Sequence, residues 1–391
     1  MTSNDEIDFD SEDGLRELLG EGPVPFPLKT PRVFEPWHRP RKQYVRGHQW
    51  TREIGFLARD TKLEGELRYL TLPGSDFLDI RHLAKTVCND YQVRLKYLGF
   101  NTAASPLDDA QAELNTNQFS VKRLLEVHPE SDVIPGDFRK VGDPRSVQWQ
   151  RVSRAGHFHA INLDLCGGFA GNEKADGIPN YFAALQAILQ SQARFEQEFL
   201  LFITTRIDDD NVEPNTHEKL TEIAQKIHDT CNEYASEFAD AWAPEHAGIS
   251  LSFPDSAHPT EVFMLGLSQW IVSRAVEAGL KATVKSFMTY RTGAGTGDDD
   301  IASIAIRFKP APVINTDQHG LVKVFPEPPA LAALECAQSA RIPKLVRNRV
   351  LVDGLLGDEA ALFEQCLSES ADLLSAAGYD TDSYMEWARS D

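Results

Sequence analysis

The residues best placed to do chemistry follow a short apolar run near the middle of the chain. Residues 158–168 read FHAINLDLCGG, an apolar segment that ends in Asp164, Cys166 and two glycines. This pattern is typical of a buried parallel strand, and ligands of open α/β sheets bind beyond the carboxyl ends of such strands. We therefore expect a binding or catalytic site at Asp164 and the glycine-rich loop that follows it.

Two other side chains at strand ends could take part in chemistry. Cys166 could act as a nucleophile, but a single cysteine at a strand end is more often a small buried hydrophobe, and no partner histidine can be assigned. Arg206 ends a second apolar run and could bind a substrate phosphate or carboxylate through its guanidinium. It could equally pair with the acids of residues 208–210, and the sequence leaves both alternatives open.

These residues need a sheet to hold them, and the chain shows the alternation that builds one. From residue 43 onward, short apolar runs alternate with helix-like segments, as in parallel α/β proteins. The last two strands would form an antiparallel hairpin through the glycine-rich, acidic residues 293–300. The predicted strands cover residues 67–72, 93–100, 131–134, 158–165, 199–204, 282–289 and 301–308. The predicted helices cover residues 43–60, 79–89, 119–127, 178–197, 217–241 and 260–278.

The two ends of the chain differ in composition from its middle. Residues 1–35 are acidic and then rich in proline, which predicts an extended or disordered arm. Residues 36–315 are expected to form the α/β domain. Residues 316–391 are rich in leucine, alanine and acids, and we expect a helical extension that packs on the sheet or on a partner chain.

Composition excludes several classes of protein. The net charge of −20 over 391 residues repels nucleic acid from most of the surface. No apolar run is long enough for a membrane helix, and no basic region precedes an apolar stretch at the N-terminus, so a cytoplasmic location is the expectation. The five cysteines show no pairing or histidine spacing of a zinc site, and we expect free thiols and no metal.

Residues 39–50 form one basic segment that is interleaved with aromatic residues. Arg41 and Lys42, beside Tyr44 and Trp50, could contact phosphates and stack on bases, which makes this segment the candidate for any nucleic-acid or substrate binding. The alternative is an N-terminal helix whose aromatic stripe is buried and whose basic groups lie on the outer face. We favour the alternative, because periodic aromatic residues are more often core than recognition surface.

The order of elements over residues 43–310 resembles the class I S-adenosylmethionine-dependent methyltransferase fold, whose seven strands end in an antiparallel hairpin. The resemblance implies a Rossmann-like, mostly parallel seven-stranded sheet with the helical C-terminal extension added to it. It also implies S-adenosylmethionine as cofactor, bound across the ends of the first four strands.

The resemblance assigns the methionine and ribose ends of the cofactor to the first two strands. In the first loop, Gly74 would let the backbone approach the cofactor, and Asp76 would hold the methionine amino group; Asp79 is an alternative, although helix capping is its more common role. Asn101 stands where the family carries an acid that binds the ribose. Asn101 could also simply end its strand and begin a turn.

The third and fourth strands would hold adenine and the methyl acceptor. By resemblance, Gly136, Asp137 and Phe138 would bind adenine, although Gly136 could instead mark a turn that requires positive φ. Asp164 and Phe169 would orient the acceptor atom. The leading expectation is thus a methyltransferase of unknown acceptor.

A second interpretation belongs to a different class of protein. The chain also resembles uncharacterised bacterial methyltransferase-like proteins, near the three-Cys-motif partner proteins of phage defence. This resemblance implies a catalytically degenerate binding or scaffold subunit with a protein partner in a multi-protein bacterial system. The presence of one glycine in the first loop and the Asn101 amide favour this interpretation.

Overall fold

The central feature of the structure is an eight-stranded mixed sheet with the strand order β3-β2-β1-β4-β5-β7-β6-β8. The computed structural model describes residues 32–102, 109–165, 167–171, 177–243, 252–293, 297–311 and 329–390. The chain divides into two units, Met1–Phe34 and Glu35–Asp391, and the elements below belong to the second. The strands are β1 (Glu66–Thr71), β2 (Arg94–Asn101), β3 (Asp132–Pro135), β4 (Ala160–Asp164), β5 (Phe199–Arg206), β6 (Leu280–Tyr290), β7 (Ile301–Pro310) and β8 (Val350–Leu351).

Strand direction confirms the α/β prediction and its terminal hairpin. Strands β1 to β5 pair in parallel, and β7 runs antiparallel between β5 and β6. All seven predicted strands are present, and each end lies within two residues of its predicted position. The prediction of seven strands is wrong by one, because β8 pairs with β6 through two residues that are too few to give a periodic signal.

Helices cover both faces of the sheet. The helices before β5 are α1 (Pro40–Val45), α2 (Arg52–Thr61), α3 (Leu78–Leu83), α4 (Asn89–Tyr91), α5 (Asp109–Lys122), α6 (Val147–Ala155) and α7 (Tyr181–Gln192). The later helices are α8 (Pro214–Thr230), α9 (Asn232–Trp242), α10 (Pro259–Glu277), α11 (Leu331–Ser339), α12 (Ile342–Arg347), α13 (Val352–Asp358), α14 (Ala360–Ala376) and α15 (Thr381–Arg389). None of the helices in the described part of the chain is long and apolar enough to cross a membrane.

Two hydrophobic cores, one on each face of the sheet, follow from the alternation of side chains along each strand. On β5, Leu201 and Ile203 face one core, which α7, α8 and α10 complete. Leu200 and Phe202 face the other core, which receives Tyr44, Trp50 and Ile54 from the N-terminal helices. The central strands are buried on both faces because helices lie above and below them.

Several helices differ from their predicted limits. The first is interrupted by a π-helical segment, Arg46–Thr51, between α1 and α2. The predicted helix 217–241 is two helices, because Cys231 has extended backbone and its Sγ accepts a hydrogen bond from the Tyr234 amide at the start of α9. Helix α5 ends at Lys122, before the predicted limit, and Val127 bridges to Leu95 of β2. Helix α6 was not predicted.

Candidate functional site

A cavity of about 580 Å³ lies at the carboxyl ends of β1, β2, β3 and β4. This is the edge of the sheet at which the sequence predicts a binding site. The volume of the cavity is in the range of pockets that bind small molecules. The predicted site residues that line it are Lys42, Gly74, Asp76, Asn101, Gly136, Asp137, Phe138, Asp164 and Arg206. Arg41 and Phe169 are absent from the lining, and Cys166 lies outside the described residues.

The loop after β1 leaves open space for a ligand at Gly74. A Cβ added at Gly74 would meet no atom within 4 Å. Asp76 is buried, and its carboxylate contacts His38 Nε2 at 3.2 Å and accepts a hydrogen bond from the Tyr379 hydroxyl at 3.2 Å. The loop is therefore held from both the N-terminal and the C-terminal part of the chain, while its glycine faces the cavity.

Asp79 does not cap helix α3. The N-cap is Phe77, and Asp79 lies within the first turn, where its carboxylate accepts hydrogen bonds from Thr71 at 2.7 Å and Tyr69 at 3.1 Å. Burial raises the pKa of Asp79, and these two hydrogen bonds oppose the shift. Capping was the preferred prediction for Asp79, and it is wrong because the helix begins one residue before the aspartate.

The end of β2 is bonded to the first loop, and the end of β3 is bonded to the end of β2 through the Gly136 amide and the Asn101 carbonyl. Asn101 donates a hydrogen bond from Nδ2 to the Pro73 carbonyl at 2.8 Å. Gly136 has φ of 135°, and a Cβ there would lie 2.6 Å from Gln148 Nε2. The expectation of positive φ at Gly136 is confirmed, and only glycine fits this position.

Asp137 lines the cavity and also holds the turn that follows it. Its carboxylate accepts hydrogen bonds from the Arg139 backbone amide at 2.8 Å and from the Arg139 guanidinium at 2.6 Å. Burial would raise the pKa of Asp137, but the bonds from Arg139 outweigh it and hold the pKa below its usual value. Asp137 therefore stays ionised and caps the 3-10 turn Phe138–Gly142.

An aromatic wall borders the cavity beside Asp137. Phe138 packs against Phe100 at 5.7 Å between ring centroids and stacks on Tyr181 at 6.4 Å. Tyr181 begins α7, and sequence reasoning missed it because its position beside Phe138 depends on the packing of α7 against the turn after β3. Phe169 lies on the far side of Tyr181 and is buried in the core.

Asp164 at the end of β4 is tied to the N-terminal helix. Lys42 Nζ donates to Asp164 Oδ1 at 2.5 Å and to the Tyr290 hydroxyl at 3.1 Å. Burial lowers the pKa of Lys42, but the Asp164 carboxylate outweighs this and raises it. Lys42 therefore stays protonated, and Lys42 and Asp164 form a partly buried ion pair at the cavity wall.

Arg41 and Arg206 are held by partners within the protein. Arg41 contacts Asp353 at 3.0 Å and donates to the backbone carbonyl of Arg291 at 2.9 Å. Arg206 contacts Asp300 at 2.6 Å and, less closely, Asp208 at 4.0 Å. The predicted pairing with the 208–210 acids is therefore present, but the nearer partner is Asp300. Arg206 nevertheless lines the cavity, whereas Arg41 does not.

The basic-aromatic segment is divided between the hydrophobic core and the cavity. Tyr44, Trp50 and Ile54 are buried, as the structural alternative predicts. The expectation that the basic groups lie on the outer face is wrong, because Arg41 and Lys42 are buried as well. Hydrophobic periodicity could not show this, since the burial of these cations depends on carboxylates supplied by β4 and α13.

The cysteines also depart from expectation. Cys231 and Cys336 form a disulfide across 105 residues, so the expectation of free thiols is wrong for this pair. Cys88 and Cys366 are free and buried, and burial raises the pKa of each to about 12. Glu233 lies beside the disulfide, but both sulfur atoms are used in their bond and are not metal ligands in this state.

Comparison with known proteins finds one family model that matches the chain and several solved structures with loosely similar folds. No curated protein matches the chain. The similar crystal structures include a Listeria monocytogenes protein described as a class I S-adenosylmethionine-dependent methyltransferase, with 10% identity, a TM-score of 0.34, and coverage of 76% of this chain and 69% of that one. MnmC2 of Aquifex aeolicus shows 10% identity, a TM-score of 0.28, and coverage of 79% and 74%.

A third structure, a cyclopropane-fatty-acyl-phospholipid synthase-like protein of Lactobacillus casei, shows 12% identity, a TM-score of 0.31, and coverage of 69% of this chain and 92% of that one. These superpositions are too loose to transfer any residue role. The family model described as PP_RS20740-like matches residues 31–389, nearly the whole chain. The chain belongs to the PP_RS20740-like family.

Proposed function

We propose that this protein binds S-adenosylmethionine in the cavity at the ends of β1 to β4 and transfers its methyl group to a second molecule bound beside it. The convergence of nine sequence-predicted residues on one cavity carries this proposal. They come from helix α1 and from separate strands and loops, and the parallel pairing of β1 to β5 brings the strand ends to one edge of the sheet. Proteins with open α/β sheets bind ligands at such an edge.

The lining fits the parts of the proposed cofactor. The open space at Gly74 admits a ligand close to the backbone of the first loop. The rings of Phe138 and Tyr181 offer an apolar wall for adenine, and the ionised Asp137 lies at its edge as a hydrogen-bond acceptor for the exocyclic amino group. Asn101 stands at the end of β2, between these two regions.

When bound, S-adenosylmethionine would supply a methyl group activated by its sulfonium. The chain's own contribution would be to bind, to orient and to exclude water. Asp164 is engaged by Lys42, so it is unsuited to remove a proton from the acceptor. We assign Asp164, through this ion pair, a positioning role at the border between cofactor and acceptor.

The proposed test is calorimetric titration of the protein with S-adenosylmethionine and S-adenosylhomocysteine. We expect saturable binding at one site. Gly74→Val should weaken it at least about tenfold, which corresponds to about 1.4 kcal/mol, because the added side chain fills the space next to the loop. Gly357→Val is the matched control, since a Cβ at Gly357 also meets no atom within 4 Å but lies in α13, outside the lining.

Two results would contradict the proposal. Absence of binding by the folded wild-type protein would favour the non-catalytic binding protein. Equal affinities for the wild type and Gly74→Val would place the ligand elsewhere. A cytoplasmic location, a protein partner and a role in phage defence stay predictions.

A further inference from the structure

Arg46 is a buried cation that faces the cavity without a carboxylate partner among the described residues. Its side chain lines the cavity, and the residue is only 5% exposed. One guanidinium nitrogen, Nη2, donates to the Trp37 backbone carbonyl at 3.1 Å. The Nε atom is buried and has no hydrogen-bond partner.

The other charged groups of the lining are already engaged. Lys42 pairs with Asp164, Arg139 with Asp137, and Arg206 with Asp300. Asp76 contacts His38 and Tyr379, and Asp79 accepts from Tyr69 and Thr71. Within the described lining, Arg46 is therefore the cation that no carboxylate oxygen approaches within 4 Å.

An isolated buried guanidinium is unfavourable, because burial removes its hydration and nothing of opposite charge replaces it. Burial lowers the pKa of Arg46, and the more distant Asp164 and Asp79 oppose this only in part. Arginine remains charged in proteins, so the charge persists in the cavity. A ligand that brings an anion would supply the missing partner.

We propose that Arg46 is the anion subsite of the cavity and holds the carboxylate or phosphate of a small, acidic methyl acceptor. The position of Arg46 supports the acceptor as the source of this anion. Arg46 follows Lys42 by one helical turn, and Lys42 binds Asp164 at the end of β4, where the proposed function places the acceptor. The low exposure of Arg46 favours a small molecule over a macromolecular surface.

This inference rests on the proposed function, since it names the class of the second substrate. The test variant is Arg46→Met, which keeps the length of the side chain and removes its charge. Replacing an uncompensated buried charge with an apolar side chain leaves the fold intact or stabilises it. If the bond from Arg46 to the Trp37 carbonyl stabilises the fold more than the buried charge destabilises it, Arg46→Met would instead lower the melting temperature.

The experiment measures thermal stability and calorimetric binding with acetate and with inorganic phosphate as probes, at constant ionic strength. Each probe is added to the free protein and to the protein saturated with S-adenosylhomocysteine. We expect at least one probe to stabilise the wild type, and Arg46→Met to weaken its binding at least tenfold. Lys344→Met, which removes a cation of α12 outside the cavity, serves as control and should respond as the wild type does.

The outcomes distinguish an anion of the acceptor from an anion of the cofactor. They also distinguish failure of the anion subsite from failure of the proposed methyltransferase function. Equal responses of wild type and Arg46→Met would overturn the subsite. If Arg46→Met loses affinity for S-adenosylhomocysteine but not for 5′-methylthioadenosine, which lacks the amino-acid carboxylate, the anion belongs to the cofactor and the acceptor assignment fails. Probe binding to the free protein without any binding of the nucleosides would keep the anion subsite and reject the methyltransferase.

Discussion

At the scale of single residues, the two members of the Lys42–Asp164 pair lie in different environments. The Lys42 side chain is 4% exposed, whereas the Asp164 side chain is 26% exposed toward the cavity. Water can therefore solvate the carboxylate when its partner is lost, but it cannot reach the ammonium as easily. The ammonium therefore depends on the carboxylate more than the carboxylate depends on the ammonium.

This asymmetry predicts that Asp164→Asn destabilises the protein more than Lys42→Met. Loss of the carboxylate leaves the buried ammonium without a charged partner, and we expect a decrease of about 3 kcal/mol in the free energy of unfolding. Loss of the ammonium leaves a partly solvated carboxylate, for which we expect about 1 kcal/mol. Urea unfolding of both variants measures the difference, and equal values would show that the ammonium is hydrated in the native state.

The sequence placed Asp164 at a strand end, but it did not show that Lys42 would contact Asp164. The apolar run before Asp164 identified a strand end from local pattern alone, and the cavity does lie there. The partners of Lys42, however, are 122 and 248 residues away in sequence. Arg46 shares this difficulty, because a cation on an amphipathic helix is normally exposed and only tertiary packing buries it here.

At the scale of elements, two histidines lie just before β4, at the end of the sheet opposite the cavity, and one of them, His159, is bonded to β1. The Arg68 backbone amide of β1 donates to His159 Nδ1 at 2.9 Å, so that nitrogen carries no proton. The His157 ring lies 5.0 Å from the His159 ring. Burial lowers the pKa of both to about 4, and Arg68 adds to the shift for each.

The histidine pair predicts that stability decreases in mild acid. The unfolded chain binds protons near pH 6.5, whereas the native histidines resist protonation until about pH 4. The free energy of unfolding should thus be greatest above pH 6.5 and fall between pH 6.5 and 4, by about 2 kcal/mol per histidine at pH 5. Urea unfolding at pH 7.5 and pH 5 measures this decrease.

The control separates these histidines from other titrating groups. His159→Asn keeps an acceptor for the Arg68 amide and cannot be protonated, so its stability should fall less between the two pH values. His258→Asn replaces an exposed helix N-cap outside the pair with a preferred N-cap residue, and it serves as the control for the substitution itself. A decrease of the same size in all three proteins would assign the acid sensitivity to other groups, such as His82, whose pKa burial also lowers to about 4.

The elements themselves were largely predictable, and the errors share a cause. The seven long strands carry apolar runs that their burial on both faces requires, and each was found. Strand β8 and the break between α8 and α9 at Cys231 were missed, because they are set by pairing with distant β6 and α11. Hydrophobic periodicity reports local structure and cannot predict contacts between distant segments.

At the scale of the whole molecule, the disulfide Cys231–Cys336 ties the helices on one face of the sheet to the C-terminal helices. A cross-link across 105 residues restricts the unfolded chain strongly. We expect Cys336→Ser to lower the free energy of unfolding by about 2–4 kcal/mol. Reductant should destabilise the wild type by a similar amount and leave Cys336→Ser unchanged, as urea unfolding with and without reductant will show.

Thiol counting gives an independent check of the same cross-link. The denatured wild type should gain two reactive thiols on reduction, and Cys336→Ser should gain none if Cys231 then stays free. An identical thiol count before and after reduction of the wild type would mean that the pair is reduced in the isolated protein. Disulfides are typical of oxidising compartments, so this count also bears on the expected cytoplasmic location.

The contacts that hold the first loop come from distant parts of the chain, and this affects the order in which the protein can fold during synthesis. Asp76 beside Gly74 is held by His38 and by Tyr379, and the Tyr384 hydroxyl donates to the His38 carbonyl at 2.7 Å. Strands β1 to β4 leave the ribosome long before these tyrosines do, because chains grow from the N-terminus. The first four strands are therefore available for pairing early, yet the cavity beside the first loop reaches its final shape only when translation has passed Tyr384.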